Sequence, residues 1–275
     1  MKIYISCKDH SVTNETFNLM YDPKTELLIT DPQPHDLDKY YESEAYISHT
    51  DSKKTVMDKI YQFIKRINID FKLNLINKYV TENKSLLDVG TGTGDFLVAA
   101  QKKGWAIVGV EPNKNASEKA ESKNIVVLPT LRSVPKQKFN LITLWHVLEH
   151  LPDLNSQISN LEELLEDGGT LIIAVPNYKS YDAKYYKEYW AAYDVPRHLW
   201  HFSKTSIDTI FKEHHMKIVK IKPMIFDAYY VSLLSEKYKS GKSNILNALW
   251  IGLRSNLYGI RTKEYSSHIY ILKKR

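Results

Sequence analysis

Residues 86–96, with the sequence Leu-Leu-Asp-Val-Gly-Thr-Gly-Thr-Gly-Asp-Phe, decide the fold of this chain. They place Asp88 and three alternating glycines, Gly90, Gly92 and Gly94, after an apolar stretch that predicts a buried strand. Glycines permit backbone conformations that side chains forbid, and they let a ligand approach the main chain closely. This strand-to-helix turn therefore predicts a binding site for a nucleotide-like cofactor.

The spacing of the glycines narrows the choice of cofactor. A dinucleotide site has the spacing G-x-G-x-x-G, whereas Asp95 stands at the third position here, so binding of a pyrophosphate is disfavoured. The next apolar stretch, residues 105–110, predicts a second strand that ends in Glu111. A carboxylate at that strand end can accept hydrogen bonds from both hydroxyls of a ribose. In an alternative interpretation Glu111 only begins the next helix, because Pro112 follows and acids suit a first turn.

Three further segments follow in order. Residues 139–144 predict a strand leading into Trp-His-Val-Leu-Glu-His-Leu-Pro-Asp at 145–153, and residues 170–177 predict the fifth strand. Together these motifs resemble class I S-adenosylmethionine (SAM) dependent methyltransferases. Over roughly residues 84–226 they resemble the small-molecule enzymes related to the ubiquinone-biosynthesis O-methyltransferases. The resemblance implies SAM as cofactor, and it implies the following cofactor-binding residues: Asp88, Gly90, Thr91, Gly92, Gly94, Glu111, Pro112, Leu144 and Trp145.

The resemblance also implies an architecture. It is an α/β fold with a seven-stranded Rossmann-like sheet, helices on both faces, a small N-terminal β-hairpin and helical lid insertions. Residues 1–50 would form the hairpin, around a turn at 22–25, and a linker, while residues 51–275 would form the methyltransferase domain. We expect the lid insertions at 178–202 and 227–264, over the carboxyl ends of the strands, where open α/β sheets bind ligands.

The N-terminal segment is similar to the zinc ribbon of related bacterial enzymes, which has two C-x-x-C pairs. The first pair is reduced here to Cys7 and His10, and Tyr21 and Lys24 stand where the second pair would fall. Two ligands do not fill a tetrahedral zinc site. We therefore expect a degenerate zinc-ribbon-like segment without metal, and no metal-binding residues in the chain.

Two helical patterns, at about 51–68 and 70–80, follow this segment and are expected to cover the cofactor cleft. Tyr41 or Tyr46, which precede them, either contact the carboxylate of the cofactor or only pack at the rim of the cleft.

Histidines are the catalytic candidates, because transfer to a hydroxyl requires removal of a proton near neutral pH. His146 and His150 flank Glu149 in what the spacing predicts to be one helical turn, so all three side chains can share one side. They act as a base or substrate contact, bind a divalent ion, or only orient loops by hydrogen bonding. Some members of the resembled family bind an ion through E-x-x-E-H, in which His146 replaces the first glutamate here.

A second pair of candidates, His198 and His201, lies in an aromatic segment beside Arg197. One of these histidines can serve as the base, and Arg197 can hold a carboxylate or phosphate of the acceptor. Alternatively, all three side chains pack within an aromatic lid.

The composition of the chain limits the kinds of partner that it is expected to bind. The chain has 275 residues, 43% of them hydrophobic, and a formal net charge of +6. The lysines are interleaved with acids outside the 273–275 tail, which disfavours a nucleic-acid partner.

The longest apolar run, 246–253, is interrupted by Asn247 and Gly252 and does not predict a membrane span. The first ten residues lack a signal-type apolar region and there is one cysteine, so we expect a cytoplasmic protein without an internal disulfide.

The sequence thus predicts a SAM-dependent methyltransferase that acts on a small-molecule acceptor, at a hydroxyl oxygen of an aromatic or lipid-like compound. Carbon-5 methylation of pyrimidines is disfavoured, because it needs a nucleophilic cysteine and Cys7 lies outside the motifs. Two alternatives stay open. One is a SAM-binding protein without transferase activity, and the other is a methyltransferase that modifies a macromolecule such as RNA or a protein side chain.

Overall fold

A computed structural model describes residues 1–34, 36–40 and 56–274, with the side chains of Asp38 and of residues 56–65 left undescribed. Tyr41 and Tyr46, the proposed cofactor contacts, lie outside the described residues, as does the start of the helical pattern at 51. No helix in the described part of the chain is long and apolar enough to cross a membrane.

Strands and helices alternate through most of the chain. The strands are β1 (Lys2–Lys8), β2 (Thr16–Asp22), β3 (Leu27–Asp31), β4 (Ser85–Val89), β5 (Ala106–Val110), β6 (Val127–Leu128), β7 (Phe139–Trp145), β8 (Leu165–Pro176), β9 (Trp200–His201), β10 (Met216–Pro223) and β11 (Ser267–Lys274). The α-helices are α1 (Val56–Ile76), α2 (Asp95–Gln101), α3 (Lys114–Glu121), α4 (Leu154–Leu164), α5 (Tyr181–Tyr186), α6 (Lys204–Glu213), α7 (Asp227–Ser240) and α8 (Ile245–Thr262).

The main sheet has seven strands in the order β10-β11-β8-β7-β4-β5-β6. Strands β4 to β8 are parallel, and β11 runs antiparallel to both β8 and β10. This confirms the predicted seven-stranded sheet, and it makes α7 and α8 an insertion in an edge hairpin. Strand β4 lies between β5 and β7, so the strands that follow it in the chain are added first on one side of β4 and then on the other. A crevice therefore opens at the carboxyl ends of these strands.

Helices cover both faces of this sheet, as predicted. Successive side chains of a strand point to opposite faces, so Leu141 packs with α1 and α2 while Ile142 packs with α4 and α6. Both are fully buried, and burial of one such side chain stabilises the fold by about 1.5–3 kcal/mol. The alternation fixes the register of β7, and with it the position of the residues at its carboxyl end.

The prediction of two helices before β4 is wrong in one respect. Residues 56–76 form a single helix, α1, because the stretch around Asp70 contains neither glycine nor proline to interrupt it.

The N-terminal segment forms more than a hairpin. The predicted turn at 22–25 joins β2 to β3, but β1 pairs with β2, and β3 pairs with β9 from the lid. The result is a four-stranded sheet in the order β1-β2-β3-β9. Its apolar side chains, among them Phe17 and Leu28, share one core with Tyr186 and Trp190 of the lid.

Asp182 of α5 fixes the lid from within. Its buried carboxylate accepts hydrogen bonds from Trp190 Nε1 (2.7 Å), Ser255 Oγ (2.6 Å) and Ser266 Oγ (2.7 Å). These donors belong to the 178–202 insertion, to α8 and to the residue that precedes β11. Since a buried donor without a partner costs about 1–3 kcal/mol, this one carboxylate holds three segments together.

Candidate active site

The glycine turn follows β4 and has the backbone that its sequence predicts. Gly90, Gly92 and Gly94 have φ values of 72°, 55° and 78°, a left-handed region that side chains rarely adopt. A Cβ atom on Gly90 would lie 2.3 Å from Val147 Cγ2, whereas no atom of the described residues lies within 4 Å of such an atom on Gly92. The turn thus packs against the end of β7 on one side and leaves room beside Gly92.

Glu111 closes this turn. Its Oε2 accepts the Gly92 N–H at 2.8 Å, and its Oε1 accepts the Asn113 N–H at 2.9 Å. The N-cap of α3 is Asn113, whose Oδ1 accepts the Ala116 N–H at 3.0 Å. The helix therefore has its own cap, which favours the ribose-binding interpretation of Glu111 over the interpretation that it only begins the helix.

Asp88 lies beneath the turn. Burial raises the pKa of its carboxyl to about 6, although Thr143 Oγ1 donates a hydrogen bond of 2.5 Å to it. Of the other residues predicted to bind cofactor, Thr91 is buried, Pro112 is exposed, and Leu144 lies wholly in the core under α4. Leu144 can therefore reach a cofactor only through its backbone.

Trp145 and Lys72 line the other side of the cleft. Trp145 Nε1 is buried and has no hydrogen-bond partner among the described residues. Lys72 Nζ of α1 lies 4.6 Å from the ring of Trp145 and 5.6 Å from that of Phe96. Burial lowers the pKa of Lys72, and the charges of Asp88 and Asp227 oppose that shift.

The turn and these side chains fit SAM. The open side of Gly92 gives space, Glu111 suits the ribose, and the donor on Trp145 suits an acceptor atom. Lys72 suits the carboxylate of the amino-acid part. The sequence did not indicate Lys72, because a cation on the helix that covers the cleft has no fixed spacing from the glycine turn.

The segment after β7 is not the helical turn that the spacing predicts. His146 has φ of 57°, and only Leu148–His150 forms a short 3-10 helix. The His146 N–H still donates to Ala174 of β8 at 2.9 Å, so the chain has to turn sharply afterwards to place Val147 on Gly90.

His146 is a cation in this arrangement. Its Nε2 lies 3.1 Å from Asp227 Oδ2, and its Nδ1 lies 3.4 Å from Glu149 Oε1. Burial alone would lower the pKa of His146, but the hydrogen bonds to Asp227 and Glu149 raise it to about 10. A group that is already protonated at neutral pH cannot accept the proton of an acceptor hydroxyl.

His150 and His198 form a pair with edge-to-face rings, whose centroids are 4.5 Å apart. His150 Nδ1 lies 3.0 Å from the Arg197 carbonyl, and His198 Nδ1 lies 2.9 Å from the Ala192 carbonyl. Because a carbonyl only accepts, Nδ1 donates the hydrogen in both rings, and in the neutral ring of His150 the lone pair is on Nε2. Burial and the charge of His198 lower the pKa of His150 to about 4, so His150 is neutral at neutral pH.

Glu149 lies beside this pair and is only 1% exposed. Burial by itself would raise the pKa of its carboxyl, but the hydrogen bond from His146 and the charge of His198 lower it. Candidate ligand atoms of Glu149, His150 and His198 lie within 4.8 Å of one another, a grouping that can hold a metal ion. This set differs from the one considered in the sequence, because His198 takes the place of His146.

His201 and Arg197 occupy structural positions. His201 lies in β9, where its Nε2 is 3.0 Å from Thr30 Oγ1, and Thr30 in turn donates to the His198 carbonyl at 2.7 Å. Burial holds the pKa of His201 well below its usual range. The buried guanidinium of Arg197 donates to Asp194 at 2.7 Å and to Asp9 at 3.0 Å, so two carboxylates already neutralise it. The sequence prediction that Arg197 holds an anionic acceptor therefore does not fit its position.

A cavity of about 450 Å³ lies between the end of β7, the lid and α7. Three predicted catalytic histidines, His146, His150 and His198, line it, whereas His201 does not. The remaining wall combines apolar and polar side chains: Ser11, Pro176, Ala191, Ala192, Asp194, Arg197, Asp227, Tyr230, Val231, Leu234, Tyr238 and Ser267.

Comparison with known proteins places these features among methyltransferases. Residues 57–221 match the family model described as a methyltransferase domain. A ubiquinone biosynthesis O-methyltransferase of Coxiella burnetii is 30% identical over 122 residues, which are 40% of this chain and 52% of the relative. One from Pelagibacter ubique is 29% identical over 116 residues, 39% of this chain and 48% of the relative. The chain thus spans about half the length of these relatives.

Solved structures show the same fold. A SAM-dependent methyltransferase from Archaeoglobus fulgidus superposes with a TM-score of 0.52 and 19% identity, covering 76% of this chain and 94% of the other. Magnesium protoporphyrin IX methyltransferase from Synechocystis, with bound S-adenosylhomocysteine, gives a TM-score of 0.56 and 14% identity. That match covers 86% of this chain and 97% of the other.

Proposed function

The chain belongs to the methyltransferase domain family, and from that premise we propose that it transfers a methyl group from SAM to a hydroxyl oxygen of a small-molecule acceptor. One observation carries the choice of reaction. The cavity is lined by His146, His150 and His198, and Val147, which lies between the first two in the chain, packs against Gly90 of the glycine turn. The Nδ1 of His150 donates to a carbonyl, so Nε2 of the neutral ring is the proton acceptor.

SAM supplies a methyl group on a sulfonium, which is a strong leaving group. The protein has to align the acceptor oxygen with that methyl group, exclude water and take the hydroxyl proton. We assign proton removal to His150 Nε2, because the Nδ1 of His150 is engaged with the Arg197 carbonyl and the ring lines the cavity. His198 is the alternative base, since its Nδ1 makes the same kind of hydrogen bond.

The protonated His146 has a different role in this proposal. It lies between Asp227 of α7 and Glu149, which follows β7, so its ion pairs link the lid to the sheet. It also neutralises carboxylates that would otherwise lie unpaired beside the reacting atoms. We therefore propose that the cluster of Glu149, His150 and His198 works without a resident metal ion.

A small acceptor is favoured by the shape and chemistry of the cavity. Ala191, Val231, Leu234 and Tyr238 provide apolar lining, and histidines and carboxylates provide polar lining. This combination is typical of sites for small molecules. The cations at the wall are already paired with carboxylates, Arg197 with Asp9 and Asp194 and the protonated His146 with Asp227 and Glu149. This disfavours a nucleic-acid backbone as substrate.

A labelling experiment tests the proposal. The protein is incubated with a cell extract and SAM that carries an isotopic label in its methyl group, and the label is then separated into small-molecule, protein and nucleic-acid fractions. We expect label in the small-molecule fraction with the native chain and much less with His150→Asn. Label in protein or RNA would overturn the choice of acceptor, and no transfer to any fraction, with SAM still bound, would support a binding protein without transferase activity.

A further inference from the structure

Helix α8 has its large apolar side chains on the outside. The face that packs on the protein consists mainly of small or polar residues: Ala248, Ile251, Gly252, Ser255, Asn256 and Gly259. A Cβ atom on Gly252 would lie 2.5 Å from the ring of Tyr229 in α7, so the small residue is required for this packing. The inner face is therefore fully used, and the outer apolar face serves some other contact.

The outer face forms a continuous stripe, because its residues are spaced three or four apart and so lie on one side of the helix. We call it the α8 stripe; it consists of Leu246, Leu249, Trp250, Leu253, Leu257 and Ile260, each exposed by 41–81%. Near the end of α8, Asn256 Nδ2 donates to the Ile225 carbonyl at 3.0 Å, and the adjacent Phe226 is 79% exposed. The apolar surface therefore continues from α8 to the start of α7.

The charge around the α8 stripe has one sign. Residues 237–263 contain no aspartate or glutamate, and they contain these basic residues: Lys237, Lys239, Lys242, Arg254, Arg261 and Lys263. Residues 122–148 also lack an acid but contain four lysines and arginines, against six in the α8 segment. The expected interleaving of lysines with acids therefore does not hold for residues 237–263. An apolar stripe with a basic border is complementary to a surface that is apolar inside and negatively charged at its boundary.

We propose that the α8 stripe binds the surface of a membrane that contains anionic phospholipid, with α8 lying in the plane of the interface. The inner face of α8 stays on α7, while Trp250 and the leucines enter the boundary between headgroups and acyl chains. A second copy of the chain fits less well, because it would bring another wholly basic border against the first. The same insertion lines the acceptor cavity through Asp227 and Val231, so the cavity would lie close to the bilayer.

Flotation with vesicles tests this proposal without any acceptor. The full chain is mixed with vesicles of phosphatidylcholine, or of phosphatidylcholine with phosphatidylglycerol, and is centrifuged through a density gradient. We expect flotation with the anionic vesicles, and loss of binding by roughly tenfold or more on the double substitution Leu246→Ser and Trp250→Ser. The matched control is Ile3→Ser with Ile67→Ser, two exposed apolar residues outside the stripe, which should float like the native chain.

A charge-reversed pair separates the electrostatic part. Lys239→Glu with Lys242→Glu should weaken binding to anionic vesicles by roughly tenfold, whereas Lys102→Glu with Lys103→Glu at the end of α2 should change it little. Thermal unfolding and binding of S-adenosylhomocysteine confirm that each variant is folded. The proposal is overturned by equal flotation of the stripe variant and the native chain, or by absence of flotation. A dimer in sedimentation velocity that the stripe variant abolishes would also overturn it, because a second copy would then be the occupant.

Discussion

The two sides of the candidate active site are built in different ways. On the cofactor side, the polar contacts that shape the cleft join residues close in sequence, such as Gly92 with Glu111, 19 residues apart, and Lys123 with Asp95, 28 apart. On the lid side they join distant residues, such as Arg197 with Asp9, 188 residues apart, and Thr30 with His201, 171 apart. The cofactor side is therefore a local motif on a sheet, whereas the lid side exists only when the N-terminal sheet, the lid and β9 have assembled.

This difference predicts separable effects. Substitutions in the lid should change stability or turnover while the affinity for cofactor stays nearly constant. Substitution of Glu111 should lower the affinity for cofactor with little change in stability.

The largest effect is expected for Trp190→Ala. Trp190 is 2% exposed, lies in the core shared by the N-terminal sheet and the lid, and donates to Asp182. Its removal should lower the free energy of unfolding by about 3–5 kcal/mol, measured by urea denaturation. Tyr185→Ala, at an exposed neighbour in α5, is the control and should cost much less. A loss of less than about 1 kcal/mol for Trp190→Ala would contradict the shared core.

The next effect is expected for His150→Asn. Loss of the base should lower turnover by roughly 10²-fold or more, measured as release of S-adenosylhomocysteine in the presence of the methyl-accepting fraction. The affinity for cofactor should stay nearly the same, since its contacts lie on the other side. His215→Asn, at an exposed histidine with φ of 51°, is the matched control. Full turnover by His150→Asn together with a loss in His198→Asn would move the role of base to His198.

A smaller effect is expected for the pH dependence of stability, through the contacts of His146 that link the lid to the sheet. The pKa of His146 is raised from 6.5 to about 10 in the folded chain, so its contribution to stability is complete below pH 6.5 and is lost as the pH rises towards 10. We expect the midpoint of urea unfolding to fall over this range more steeply in the native chain than in His146→Gln. Parallel curves for the two proteins would show that the contacts with Asp227 and Glu149 add no stability.

We expect no bound zinc and no effect of magnesium on turnover. Burial raises the pKa of the Cys7 thiol to about 12, and Tyr21 and Lys24 supply no further zinc ligands of the family pattern. Elemental analysis of protein prepared without chelators should therefore find no stoichiometric zinc, and added magnesium should leave turnover unchanged. One ion per chain, or stimulation by magnesium, would assign the grouping at Glu149, His150 and His198 a metal role.

The cofactor side could be predicted from the sequence because it depends on local backbone requirements. Glycines with positive φ, an acid near the end of β4 and another just after β5 leave a direct trace in the spacing of Asp88, Gly90, Gly92 and Glu111. The seven-stranded sheet followed from the same motifs and their resemblance to the family. Lys72 was missed because a cation on the covering helix has no fixed distance in sequence from the glycine turn.

The lid side could be predicted only in outline. The insertions at 178–202 and 227–264 are indicated by the strands around them, but the roles of individual side chains depend on long-range contacts. Arg197 is an ion-pair partner because Asp9 reaches it, and His201 is a sheet residue because β9 pairs with β3. His146 is protonated because Asp227 of α7 lies beside it. Asp9, β3 and Asp227 are all distant in sequence from the residues they contact, so no local sequence pattern predicts these contacts.

Calorimetric titration of the native chain and of Glu111→Ala tests the central claim, that the turn of Gly90, Gly92 and Gly94 with Glu111 binds SAM. S-adenosylhomocysteine should bind the native chain at one site and more tightly than NAD. Its binding should weaken by about 1–3 kcal/mol in Glu111→Ala, the usual cost of losing a charged hydrogen-bond partner. Glu121→Ala, an exposed acid of α3, should bind like the native chain. Unchanged affinity in Glu111→Ala, or tighter binding of NAD than of S-adenosylhomocysteine, would contradict the account.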